Sequence, residues 1–192
     1  MKAPRNGYPP LSVANYLIGL AAAENKKVSF PQLQAMMYLS HGWHLALTGR
    51  PLVSEPFYVY RNSWFKGPLL GSIYVEFSRY GAIGGIPAQI PGYSLYQADA
   101  KGYAKRIMSR VWKLYGERPG YALVGMSRAE GTPWHTVSSK GDPLVLQSKI
   151  SNEEIKRYFE PRMSARPEGS PPRPVARRAT WFEQLWSWVV GQ

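Results

Sequence analysis

The sequence predicts a mainly α protein: a compact helical domain around one buried central helix, with a small extended or β element, then a C-terminal linker and an amphipathic helix. Three observations carry this. The stretch 28–52 has a helix start, a sustained helical period and a stop; the runs 11–21 and 100–115 repeat that period; and the composition changes sharply after residue 160.

Residues 1–10 are basic and Pro-rich and read as a flexible N-terminus. Ser12 is the expected N-cap of a first helix carrying Val13, Tyr16, Leu17, Leu20 and Ala21 on one face. In the central helix, Ser29 is the N-cap with Gln32 reaching back, Pro31 fits the first turn, and Val28 packs on Leu33 as a staple. Leu33, Met36, Met37, Ser40, His44 and Leu47 recur at helical steps, and Tyr38, Leu39, Trp43 and Leu45 widen the apolar surface until the helix must be buried on most sides. Gly49 and Pro51 end it.

The aromatic, β-branched segment 55–65 follows as a short strand or extended aromatic loop, and Gly67-Pro68-Leu69 breaks the chain before the segment 72–77. The Gly- and Pro-rich run 84–92 reads as a surface loop, with a short strand at 93–96. The helix at 100–115 turns Ala104, Ile107, Met108, Val111 and Leu114 or Tyr115 inward, and Gly116 ends it. Ser151 and Glu154 form a capping box, with Ile150 and Ile155 as staple, for a helix through Tyr158-Phe159.

The main domain is thus expected at 11–160. Residues 161–178 hold five Arg and five Pro against one acid, which leaves nothing to bury and reads as a linker. In 179–192, Trp181, Phe182, Leu185, Trp186, Trp188 and Val189 lie on one arc opposite Glu183, Gln184 and Ser187, an amphipathic docking helix too short to span a bilayer.

Much of this order and spacing resembles the Panacea domain of SocA-like and phage GepA-like antitoxins. The residues that carry the resemblance are Val13 to Leu17, Leu33-Gln34, Met37-Tyr38, Gly42-Trp43, Leu45 to Leu47 and Thr48 to Leu52. Further on they are Trp64, Gly67 to Leu69, Ile73-Tyr74, Phe77, Tyr80-Gly81, Ser127, Glu130, Pro133-Trp134 and the closing helix through Phe159. Ala35 stands where the family carries a basic residue, and Arg128 where its signature has histidine. The resemblance implies a non-enzymatic antitoxin or phage-associated protein that neutralises a partner, a cognate toxin, by contact.

Composition allows this and narrows the rest. In 192 residues, 44% hydrophobic and 14% aromatic content suffices for one core. The lack of cysteine excludes disulfides, Cys-ligated zinc and thiol nucleophiles. A net charge of +12 implies an anionic partner: an acidic protein, nucleic acid or an anionic membrane surface. The N-terminus has no apolar signal core and no run is long enough to cross a bilayer, so the chain is expected in the cytoplasm with no transmembrane segment.

His41, His44 and His135 are the residues that would hold a metal, but His44 lies on the inward face as a hydrogen-bonded core histidine, and no metal site or cofactor is expected. No nucleophile elbow, P-loop or dinucleotide fingerprint is present, so no catalytic residue is assigned. Trp43 and Trp134 are expected in the core. The expected partner-contact residues are Arg106, Arg110 and Lys113, which share a helix face that is otherwise simply solvated, Arg128, and Arg177, Arg178, Trp181, Leu185, Trp186 and Trp188 of the tail. The tail helix is open to three roles: a partner groove, an anionic membrane or the domain itself. Its Arg-rich approach and aromatic rings would also suit nucleic acid.

Overall fold

A computed structural model describes residues 5–61, 63–80, 84–86, 89–93, 102–141 and 146–164. The protein is mainly helical with a small two-stranded antiparallel sheet. The described elements are α1 (Pro10–Ala23), α2 (Phe30–Thr48), β1 (Phe57–Tyr60), α3 (Gly71–Phe77) with a 3-10 turn at Ser78–Tyr80, α4 (Tyr103–Tyr115), α5 (Gly120–Arg128), α6 (Pro133–Lys140), β2 (Gln147–Ile150) and α7 (Asn152–Ser164).

Helix α2 is the hub. Every residue from Phe30 to Ala46 except Gln32 is buried, because α1, α4, α5 and α7 all pack on it. Its ends are set locally, as the sequence implies. The Ser29 hydroxyl accepts from the Gln32 N–H at 3.4 Å, and Gly49 closes the helix in the left-handed region at φ 68°. The Gln32 side chain does not complete the expected capping box. It donates instead to the Gly116 and Arg118 carbonyls at 2.9 and 3.1 Å, since the α4–α5 connection passes over it with carbonyls that lack helical partners.

Two buried amides tie loops to helices. Gln34 donates to the Leu70 carbonyl at 3.2 Å and accepts from the Leu70 N–H at 3.1 Å, which satisfies the backbone entering α3. Asn15 of α1 donates to the Ile90 and Tyr93 carbonyls and accepts from the Ile90 N–H, all at 2.7–2.8 Å. The described parts of the expected surface loop at 84–92 are therefore held down at Ile86 and Ile90, Ile86 being buried with its N–H bonded to the Val28 carbonyl at 2.8 Å.

Strand β1 pairs antiparallel with β2, Phe57 opposite Ile150 and Tyr60 opposite Gln147. Directly after it, the Ser151–Glu154 capping box forms in both directions, at 3.2 Å from the Ser151 N–H and 3.1 Å from the Glu154 N–H, with Ile150 and Ile155 fully buried.

Several boundaries differ from the sequence reading. The first helix starts at Pro10, so Ser12 is a buried helical residue rather than the cap; Pro10 pre-sets the first turn. The segment before it is not loose at Tyr8, which is buried and exchanges backbone hydrogen bonds with Leu52 and Ser54 at 2.7 and 2.9 Å. Helix α4 begins at Tyr103, after Gly102 in the left-handed region, and buries Trp112, whose indole N–H reaches Glu24 at 2.9 Å. Helix α7 continues through Pro161 to Ser164, and within it the Arg162 guanidinium folds back to the Tyr158 carbonyl and lies 3.5 Å over its ring. Trp43 is in the core against Phe159, centroids 5.2 Å apart, whereas Trp134 is half-buried at its margin. The expected strand at 93–96 lies outside the described residues apart from Tyr93. So do the linker beyond Ser164 and the docking helix at 179–192.

Candidate functional site

An open groove of about 820 Å3 runs between the start of α2, the Trp64–Lys66 segment and α5. Gly120 makes it possible. A Cβ there would lie 2.9 Å from the Gln32 nitrogen and 3.0 Å from the Ser29 hydroxyl, so only glycine lets α5 begin against the start of α2. Across the groove Trp64 is held from behind. Phe30 lies 5.4 Å from its ring and itself meets Phe65 and Tyr74 edge-on at 5.4 and 5.8 Å, so Trp64 caps a buried aromatic cluster while 48% of it stays exposed. Tyr121, in the first turn of α5, is 80% exposed at the facing wall.

The charge lining the groove has one sign. Lys27, Lys66 and Arg128 line it, and among the described residues no carboxylate does. Lys66 donates to the Arg61 carbonyl at 2.5 Å, and neither Lys27 nor Arg128 has an ion-pair partner among the described residues. Helices α2 and α5 have no acidic residue in their first turns, so the partial positive charge of their N-terminal ends adds to the same field. By contrast, the recess of about 500 Å3 beside Tyr74, Val75 and Leu146 is lined by no charged side chain.

Of the expected contact residues, Arg128 lies in this groove. Arg106, Arg110 and Lys113 share a face of α4 and do not line it. Arg106 and Arg110 are half-buried, Arg106 lying 4.8 Å over the Tyr103 ring, and Lys113 is exposed near Glu24. Arg177, Arg178, Trp181, Leu185, Trp186 and Trp188 lie outside the described residues. Lys27, Lys66, Trp64 and Tyr121 were not singled out by sequence as contact residues. The exposed Tyr121 within an otherwise apolar helical run was the available signal.

The histidines do not converge on a metal site, and among the described residues no three His, Asp or Glu side chains do. His44 Nδ1 meets the Arg50 carbonyl at 2.8 Å, as expected of a core histidine. His41 is fully buried. The Val53 N–H donates to its Nδ1 at 3.3 Å, which leaves Nε2 as the protonated nitrogen donating to Asn152 Oδ1 at 3.0 Å. Burial, offset in part by that Asn152 bond, holds its pKa down at about 4. Ala35 is buried too, so nothing at that position faces a partner.

The chain is similar to Antitoxin SocA of Caulobacter vibrioides (strain NA1000 / CB15N). The two are 29% identical over 164 residues, a span covering 77% of this chain and 80% of that protein. That supports a SocA-like, antitoxin relation. No family model matches the chain, and no solved structure matches it. No helix among the described residues is long and apolar enough to cross a membrane.

Proposed function

We propose that this protein is a non-enzymatic antitoxin that neutralises a partner protein, a cognate toxin, by direct contact. The observation that carries the reading is its similarity to Antitoxin SocA across most of both chains. The structure is consistent with a contact role: His41, which burial keeps neutral, is sealed in the core between Val53 and Asn152, whereas the exposed chemistry is a basic, aromatic groove.

The test is co-expression. The gene adjacent to this one is induced alone and together with this chain, and growth is followed. Arrest by the neighbour alone, relief on co-expression and co-purification of the two proteins are expected. A neighbour that arrests growth and is not relieved would overturn the reading. A neighbour product that forms no complex with this chain would do so as well.

A further inference from the structure

We propose that the groove between the start of α2 and α5 holds an acidic segment of the partner protein, with one aromatic or aliphatic side chain of that segment set against Trp64 and Tyr121. This rests on the reading of the chain as a protein-binding antitoxin.

Charge complementarity carries the first part. Lys27, Lys66 and Arg128 converge on one groove, and among the described residues no carboxylate lines it and Lys27 and Arg128 have no ion-pair partner. Three cations elsewhere are answered locally, Lys26 by Glu24 and Glu117, Arg79 by Glu76 and Lys156 by Glu160, whereas the groove gathers its cations with no acid beside them among the described residues. The groove therefore keeps a positive field that carboxylates of a partner would neutralise, and that field speeds encounter and rejects basic segments.

The apolar part follows from the aromatic cluster. Phe30 and Phe65 fix the Trp64 ring before any partner arrives, so little side-chain freedom is lost on binding, and an exposed, pre-set tryptophan facing an exposed tyrosine suits a single buried anchor. The volume, about 820 Å3, accommodates a few residues rather than a whole domain face. A nucleic-acid strand would need cations tracking a backbone over many nucleotides, whereas these three are gathered in one compact groove.

The probe is a short fluorescein-labelled peptide of alternating Asp and Glu around one central Phe, read by anisotropy with the full chain. The comparisons are the same peptide with Gly for Phe, its Lys counterpart, and an oligothymidylate. Lys27→Glu with Arg128→Glu should weaken the acidic peptide by roughly tenfold or more. Tyr121→Ser should weaken the Phe peptide and leave the Gly peptide nearly unchanged. Both variants alter exposed side chains, so their melting temperatures should stay within about 2 °C of the parent.

Unchanged affinity in the double variant would overturn the proposal, because the acidic peptide would then be held elsewhere on this basic chain. An oligothymidylate that binds more tightly than the peptide, and is lost in the same variant, would overturn it in favour of a nucleic-acid site. Relief of the co-expressed neighbour by the double variant at the parent level would remove the groove from partner binding while leaving the neutralising role intact. Failure of the parent chain itself to relieve the neighbour would bring down that role, and with it the assignment of the segment to a toxin.

Discussion

Gly42 sits where α2 meets α7, and substituting it by Ala tests the hub directly. A methyl group there would lie 2.2–2.6 Å from three carbons of the Phe159 ring, far inside the roughly 3.5–4.0 Å of ordinary carbon contact. The ring has little room to yield, because Tyr38 and Trp43 meet it edge-on at 6.1 and 5.2 Å and Phe159 is buried. Overpacking of this kind costs about 1–3 kcal/mol, and the severity of the overlap places it near the top of that range. Replacing glycine in a helix interior offsets about 1 kcal/mol. The net destabilisation should be about 2 kcal/mol, a fall in Tm of roughly 4–8 °C for a protein of this size. Thermal unfolding by circular dichroism measures it. The decisive comparison repeats Gly42→Ala in a Phe159→Ala background, where the methyl group enters vacated space and should be neutral or stabilising. A Gly42→Ala single variant that melts at or above the parent, or that loses as much with Phe159 absent, would refute the α2–α7 packing.

Three further outcomes are expected. His41 stays neutral in the folded protein down to about pH 4 but titrates near 6.5 when unfolded, so the unfolded chain binds the extra proton between those values and stability falls as pH drops through that window. His41 contributes about 3 kcal/mol to this loss at most. His41→Gln, compared with the parent by urea denaturation at about pH 7 and about pH 4.5, roughly two units below the unfolded titration, should show a smaller loss on acidification, and an equal loss would refute the role. Trp43→Ala should cost about 3–5 kcal/mol, whereas Trp64→Ala, half exposed, should cost far less; equal urea midpoints for the two would contradict their burial. Removal of residues 180–192 should leave the melting temperature of the domain unchanged while weakening association with a partner or a membrane, and a large fall in Tm with binding intact would make that segment part of the core.

What the sequence discloses follows the range of the forces involved. Helix α2 is legible because Ser29, Gly49 and the apolar period act within a few residues, and the Ser151–Glu154 box is legible for the same reason. Strand β2 is not. Gln147–Ile150 is mostly exposed and has no alternating apolar pattern, and it is a strand because β1 offers it a ladder from far along the chain. Ser12 misleads because Pro10 starts the helix first, and Gln32 misleads because the carbonyls of Gly116 and Arg118 outcompete the local cap. The groove was hidden most fully. Lys27, Lys66 and Arg128 belong to three separate segments that the fold brings to one groove, and Gly120 lets α5 begin against the start of α2 there. Arg128 was singled out as a deviation from a motif, without any indication of its neighbours.

The burial of α2 on all sides sets a timing problem for synthesis. Its last residue, Thr48, is joined long before the final residues of α7, which end at Ser164, and α4 and α5 also come later. At about 5–20 residues per second, the stretch from Thr48 to the end of α4 at Tyr115 takes roughly 3–13 seconds, and in that interval only α1, among the helices that cover α2, has been made. During that interval Tyr38 and Trp43 lack the Phe159 ring of α7 on which they pack. Until α7 follows, the apolar surface of α2 in the nascent chain is open to chaperones and to self-association.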